Sequence, residues 1–507
     1  MRIRGFIIIF IITSGVLSGQ IPDADPETVW NYQPQLMDSI HHQSNFYDFA
    51  DNPAALYEDA KSKMLMMGQN TQLYSGGYHL PFSPERINDQ NYTVLTVYPL
   101  SENDLFKGYF GYNSRIDSDV LWADQSRWLE VNPFILGDSS KGDFKLNGLF
   151  WSAEWAHRYS ENWLTGVGFF YNVDERLKQV FPKPLNKHRD IRIKSGVQYS
   201  EKNWKLGFTY HYDNAQEKVE LSRYNLDQQL TPTIYKFRYS DLPVIMRGKT
   251  SEEREVNFRT HRFGLQLNSV FDKINILISA NYSTNHSEVF DGGTQRVLQG
   301  EFDVESLSTE MRLLYRCSLW DSYLNYKFYY SNLTSYHPDF GMTVLKEPSA
   351  TQNLQTGVKL NIVNRLSLYF DLIYSHFWDT REDLMTENYW RYQIYTYGFR
   401  SGADYQINNR WELGLWGGVS IYDAKNLDDS NQAYTDYFDV LYRQKLEYYV
   451  SGNMEIISGA RIIFHYLPLL DVEAVSQYYT HLADDHFSSG THRDFWAMSL
   501  RLKLYVF

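Results

Sequence analysis

From Leu307 to Tyr330, apolar and polar residues take turns along the chain. Leu307, Met311, Leu313, Tyr315, Cys317 and Leu319 share one face at a spacing of two, and Ser308, Glu310, Arg312, Arg316 and Ser318 share the other. After Trp320-Asp321-Ser322 the alternation resumes. Leu324, Tyr326, Phe328 and Tyr330 then form an apolar face, and Tyr323, Asn325, Lys327 and Tyr329 a polar one. A period of two predicts β-strand, because successive Cβ atoms point to opposite sides. The intervening turn is too short for anything but a hairpin. Each arm is about ten residues, enough to cross a bilayer as a tilted strand.

The unit recurs. Leu149, Trp151, Ala153 and Trp155 alternate with Ser152, Glu154 and Ala156, and Ile191, Ile193, Val197 and Tyr199 oppose Arg192, Lys194 and Gln198. Short turns are predicted at 160–162, 200–203, 272–273, 321–322, 364–365, 408–409 and 458–459. The connections between them are long and polar, as at 214–256, 284–304, 332–351 and 469–492. Short turns on one side and long loops on the other predict an all-β fold, a transmembrane antiparallel barrel of the outer membrane. Seven turns give fourteen strands, and Leu105 to Tyr112 with Phe495 to Phe507 raise the count to sixteen. A true hairpin at Ser101–Asp104 adds strands near 64–76 and 92–98 and makes eighteen. Trp163, Trp204, Tyr323 and Trp411 stand one to three residues after short turns, where an interfacial aromatic girdle is expected.

Three regions follow. Residues 1–19 read as a secretory signal peptide, with Arg2 and Arg4 before the apolar run Phe6–Ile12. Residues 20–62 are polar and contain Pro22, Pro26, Pro34 and Pro53, which predicts a plug-like segment. Within it Asn52 suits a helix N-cap and Pro53 the first helical position, ahead of a helix-compatible run over 54–63. Residues 63–507 form the barrel.

Composition sharpens this picture. Aromatic residues make up 17% of the 507 positions while mean hydropathy is negative. A barrel has this mixture because only alternate strand residues meet lipid. The net charge of −13 argues against a nucleic-acid partner. Cys317 is the only cysteine, so no internal disulfide forms, and its place on an apolar strand face makes it a packing residue.

The alternation also selects residues expected to face the lumen. They are Glu154, Arg192, Lys194, Arg262, Glu310, Arg312, Arg316, Lys327, Lys359, Arg400, Asp404, Glu412, Glu447, Glu455, Arg501 and Lys503. Both signs occur, which fits a charge-tuned channel or an interior closed by ion pairs. Arg192, Arg262, Arg312 and Arg400 are expected to pair with acids of the N-terminal segment, among them Asp48 and Asp51. No catalytic, cofactor-binding or metal site is assigned. The histidines are scattered, neither G-x-S-x-G nor HExxH occurs, and Asp484-Asp485-His486 reads as a solvated loop cluster.

Asp51-Asn52-Pro53-Ala54 resembles the asparagine-proline-alanine motif of the long-chain fatty-acid transporter (FadL-type) family. The layout also resembles that of uncharacterised large outer-membrane barrels. The FadL-type resemblance implies a luminal N-terminal plug and a fourteen-stranded barrel. The terminal Phe507, after Leu500, Leu502 and Leu504, resembles the signal that barrels present to their insertion machinery, although the leucines run one residue out of phase with it. Outer-membrane lipid, that machinery and a small, hydrophobic ligand are the expected partners.

The functional expectation is a non-enzymatic, porin-like barrel for passive uptake or translocation of a small molecule. The alternatives are a surface-binding or secretion-assembly barrel without transport, and an outer-membrane hydrolase. The protein is expected in the outer-membrane fraction, lacking residues 1 to about 19, with a folded gel band that shifts on heating. Recovery as a soluble periplasmic monomer contradicts the barrel.

Overall fold

The computed structural model describes Tyr47, Phe49, residues 51–59 and most of 63–506. The longest stretches outside the description are 1–46, 125–131, 223–233, 238–242, 247–251, 431–447 and 484–491. The signal peptide, most of the 20–62 segment, Asp48, Glu447, Asp484-Asp485-His486 and Phe507 therefore lie outside the described residues.

Among the described residues, eighteen strands close into one antiparallel barrel. The first part of the wall is β1 (Lys63–Ser75), β2 (Arg86–Pro99), β3 (Asp104–Val120), β5 (Gly142–Arg158), β6 (Trp163–Lys178), β7 (Lys183–Glu201) and β8 (Trp204–Ser222). It continues through β11 (Glu252–Phe271), β12 (Ile274–Asp291), β13 (Val297–Arg316), β14 (Trp320–His337), β15 (Met342–Val363) and β16 (Leu366–Asp383). The last strands are β17 (Asn388–Asn408), β18 (Trp411–Ser430), β19 (Asn453–Tyr466), β20 (Leu470–Ala483) and β21 (His492–Val506). Each pairs with the next, and β21 pairs with β1 from Val506 opposite Lys63 to Asp494 opposite Ser75. Three short strands, β4 (Leu136–Asp138), β9 (Ile234–Phe237) and β10 (Pro243–Met246), form a separate sheet.

The wall's two faces are inverted relative to a water-soluble protein. Leu149, Trp151 and Trp155 are exposed, while Glu154 on the other face of β5 is buried. On β13, Leu307, Met311 and Leu313 point out, and Arg312 and Leu314 point in, where Leu314 joins a buried cluster. Leu324 sits opposite Leu313 and shares its outer face. Exposed apolar rows around a closed sheet are the surface of a membrane barrel, and the protein is one of the outer-membrane type.

The count settles at eighteen because the Ser101–Asp104 hairpin forms, with the Leu100 amide donating to the Asp104 carbonyl at 2.9 Å. Sixteen and fourteen are set aside. Several expected connections are corrected. Most of 284–304 and 332–351 is strand, because β12–β15 continue beyond the lipid. β15 has 22 residues, about 70 Å at ~3.3 Å per residue, far more than an apolar band of ~25 Å requires. Above the band its neighbours have polar outer faces, such as Asp303 and Glu305, which resemble loop in sequence.

Ser458-Gly459 is no turn but the middle of β19. A Cβ on Gly459 would lie 2.2 Å from the Trp416 ring, so the glycine makes room for an inward tryptophan. The turn falls instead between β19 and β20, and β20 occupies much of the expected 469–492 loop. The turn placed at 321–322 lies at 317–319, since Arg316 already pairs with Asp321 and the Trp320 ring packs 5.0 Å from Tyr315. Cys317 is thus a turn residue, its Sγ donating to the Trp320 carbonyl at 3.0 Å. Trp163, Trp204 and Trp411 are exposed in the girdle position, but Tyr323 is buried on the inner face and does not belong there.

Leu313→Arg should cost about 2–4 kcal/mol of folding free energy in bilayers, measured by reversible denaturant titration. Glu310→Gln should cost clearly less, because Glu310 faces the interior. Equal losses contradict this register.

Candidate functional site

The site is built on the inner wall of β5–β8. Pro53–Ala55 forms a single helical turn that runs on into Leu56–Asp59. Asn52 caps it, its Oδ1 accepting from the Ala54 amide at 3.0 Å. Pro53 follows the cap, where a missing amide hydrogen costs nothing. This segment lies mainly against β3, β5, β6 and β7, and Met64 at the start of β1 packs against the apolar cluster that the segment joins.

Two glycines make the seat. A Cβ on Gly166 would lie 2.3 Å from the Pro53 carbonyl carbon, and one on Gly196 would lie 2.0 Å from Asn52 Oδ1. Any side chain at either position collides with the segment. Glycine inside a strand marks such close backbone approach. Asn52 is fully buried and spends its amide on the wall, donating to the Val197 carbonyl at 3.3 Å and to Gln266 Oε1 at 3.2 Å.

A charged relay borders the seat. Asp51, with a left-handed φ of 47°, accepts from Lys194 Nζ at 2.7 Å. Lys194 also lies 3.8 Å from Glu154, whose carboxylate accepts from the Tyr47 hydroxyl. Lys107 donates to the same hydroxyl at 2.7 Å. Asp51 sits deep in the protein yet keeps 47% of its side chain open to the interior. Burial would raise its carboxyl, but Lys194, His211 and Arg192 outweigh that and hold it below the usual carboxylate range.

Beneath the relay, Tyr47, Phe49, Ala55 and Leu56 join Val97, Leu105, Leu277, Leu314, Tyr369 and Trp416 in one apolar cluster. These wall residues come from strands all around the barrel and lie near its short-turn, periplasmic end. Tyr57 donates to the Glu102 carbonyl at 2.5 Å in the β2–β3 turn.

The external half is occupied by other chain. β4 and β9 pair inside it, and Phe134 is fully buried among Val256, Phe258, Val289 and Phe302. A Cβ on Gly300 would fall within 1.8 Å of the Phe134 ring. Arg254 fastens the loop, donating to the Phe134 carbonyl at 2.9 Å and to Asp291 at 2.7 Å, while Lys236 lies 2.5 Å from Asp291. Lys178 holds Asp138 at 2.5 Å, with Asp124 at 3.6 Å. Burial, and then repulsion by Asp138, push the Asp124 carboxyl well above its usual range.

The sequence-selected residues divide as follows. Glu154 and Lys194 belong to the relay. Arg192 pairs with Asp213 at 2.9 Å, and Arg262 sits beside His211 across the β8–β11 ladder. Arg312 bonds Glu310 at 2.7 Å and stacks 4.8 Å over Phe49, and Lys327 lies 3.4 Å from Glu310. Lys359 stands opposite Asp321, and Arg400 opposite Asp371, which accepts from Tyr323 at 2.7 Å. Asp404 and Glu412 both accept from Arg461, and Glu455 accepts from Tyr422. Glu473 takes Arg501 and Lys503. Arg316 is exposed at the end of β13 and lines nothing. The cation that pairs with Asp51 is Lys194, not one of the four arginines expected. Gly166, Gly196, Gln266, Tyr47, Phe49 and Phe134 were not selected from sequence. Only the glycines, at inner strand positions, carried a legible signal.

The chain matches a family of unknown function, DUF6850, over residues 53–504 and belongs to that family. No curated protein matches it. Among solved structures it is similar to the copper transporter OprC, at 9% identity and a TM-score of 0.43, covering 88% of this chain and 81% of that one. The outer membrane transporter YddB from Escherichia coli gives 9% identity and a TM-score of 0.42, with coverage of 88% and 81%. The ferric yersiniabactin uptake receptor FyuA from Yersinia pestis gives 7% and 0.39, with coverage of 87% and 80%. None of these likenesses carries a cargo over to this chain.

The glycine seat is testable by labelling. In a Cys317→Ser background, Asn52→Cys should be protected from a water-soluble maleimide. Adding Gly196→Val should expose it and raise the labelling rate at least tenfold. Equal labelling in both backgrounds removes the seat.

Proposed function

We propose that this member of the DUF6850 family passes a small molecule across the outer membrane by diffusion, with the N-terminal segment as a plug that gates the passage. The observation that carries this reading is the docking of Asn52-Pro53-Ala54 on Gly166 and Gly196. An eighteen-stranded barrel is too wide for its own side chains to fill. Non-strand backbone at membrane depth is tolerated only where protein or water surrounds it. The segment is seated on the two glycines, bonded through Asn52, Tyr47 and the half-open Asp51–Lys194 pair and packed on the apolar cluster, yet it adds no strand to the wall.

The hydrophobic cargo that the FadL-type motif implies receives less support. That resemblance also implies fourteen strands, and the interior wall at mid-depth is polar. A second reading, a sealed scaffold without transport, is favoured by the external loops pinned inside the barrel through Arg254 and Lys178.

Conductance in planar bilayers separates the two. The intact chain should conduct little, and deleting residues 20–57 should raise conductance severalfold. Low conductance after the deletion supports the sealed scaffold, and high conductance before it supports a plain pore.

A further inference from the structure

Further round the barrel from the plug seat, the inner wall of β12–β15 has a different character. Ser283, Ser306, Ser331 and Ser349 are mutually paired across these four strands and form one row. Ser283 and Ser306 are hydrogen-bonded at 2.7 Å, and Ser331 and Ser349 at 2.9 Å. The next row toward the periplasm is Asn281, Ser308, Tyr329 and Thr351. All eight side chains are uncharged, and seven are hydroxyls or amides half-open to the interior.

Tyr329 stands out among them. It lies between Lys327, which reaches Glu310, and Ser331, so its ring is on the inner face. It is 42% exposed, and its side chain makes neither an aromatic ring contact nor a hydrogen bond among the described residues. The inward tyrosine six residues earlier, Tyr323, is by contrast buried and bonded to Asp371. Tyr329 is an aromatic plate left part-open to the interior in the middle of a hydroxyl lattice.

We propose that this wall is a luminal binding surface for a neutral polyhydroxylated molecule of the carbohydrate type, with Tyr329 as its stacking platform. The chemistry matches on each count. Serine and threonine hydroxyls both donate and accept, as sugar hydroxyls do. The face of a phenol ring is electron-rich and suits the C–H face of a pyranose. Tyrosine with serine and asparagine gives rigid contact area beside adaptable hydrogen bonding. An anionic ligand is less well matched, since Lys327 and Arg312 are already committed to Glu310 and the two rows themselves carry no charge. An apolar ligand would strand two rows of hydroxyls without water. Arg262, at the β11 end of the serine row opposite Ser283, supplies fixed donors at one edge.

This inference rests on the reading of the lumen as a passage, but its test does not. The full chain in detergent is titrated calorimetrically with maltohexaose, N-acetylchitohexaose and hexaglutamate. At least one neutral oligosaccharide should bind, and hexaglutamate should not. Tyr329→Ala should weaken binding at least tenfold, Tyr329→Phe should leave it within about threefold, and the outward Tyr326→Ala should leave it unchanged. The heat-shifted band confirms that each variant is folded. No oligosaccharide binding, binding of hexaglutamate alone, or indifference to Tyr329→Ala overturns the proposal. Failure of the gating reading would appear in conductance and leave these titrations as they are.

Discussion

Lipid offers no partner to a backbone amide, and every feature of this protein depends on that constraint. A strand sheet survives in a bilayer only if it has no edge. The pairing of β21 with β1 removes the last one, so the first and last described strands must meet in register over Lys63–Ser75. Closure then decides the rest. It assigns one set of alternating side chains to lipid and the other to an enclosed interior.

Eighteen strands enclose more space than inward side chains can fill. The chain meets this with segments of its own, entering from opposite ends. From the periplasmic side, Tyr47, Phe49 and residues 51–57 lie against β3 and β5–β7 and join an apolar cluster. From the external side, Phe134 and the β4–β9 pair fill the region under β8 and β11–β15. The two insertions are held differently. The external one is fixed by deeply buried ion pairs at Arg254 and Lys178, which are costly to break on one side only. The N-terminal one is held by the glycine seat, the buried Asn52, the apolar cluster around Tyr47 and Phe49, and a half-open Asp51–Lys194 pair. Between them, among the described residues, the β12–β15 wall remains polar and part-open, with Tyr329 facing the lumen.

Where the sequence pattern misled, it did so for identifiable reasons. Ser458-Gly459 has turn composition, yet the glycine is there because Trp416 lies over it. The 284–304 and 332–351 stretches look like loops because a strand that rises above the lipid has two polar faces. Tyr323 follows a short turn like the girdle tryptophans, but its parity sends it inward to Asp371.

Taken alone, the sequence determined the fold class, the alternation of lipid-facing and interior residues along the strands, and the outer-membrane setting. All three follow from the period of two, a local property that needs no knowledge of neighbours. It also marked Asn52-Pro53-Ala54 as a capped turn, because capping is equally local. The tertiary structure alone decided what occupies the lumen. That Gly166 and Gly196 seat Asn52, that Lys194 rather than an arginine takes Asp51, and that four serines on four strands align beside Tyr329 are facts of register between distant segments. Register is set by closure of the whole sheet, and no stretch of the chain contains that information by itself.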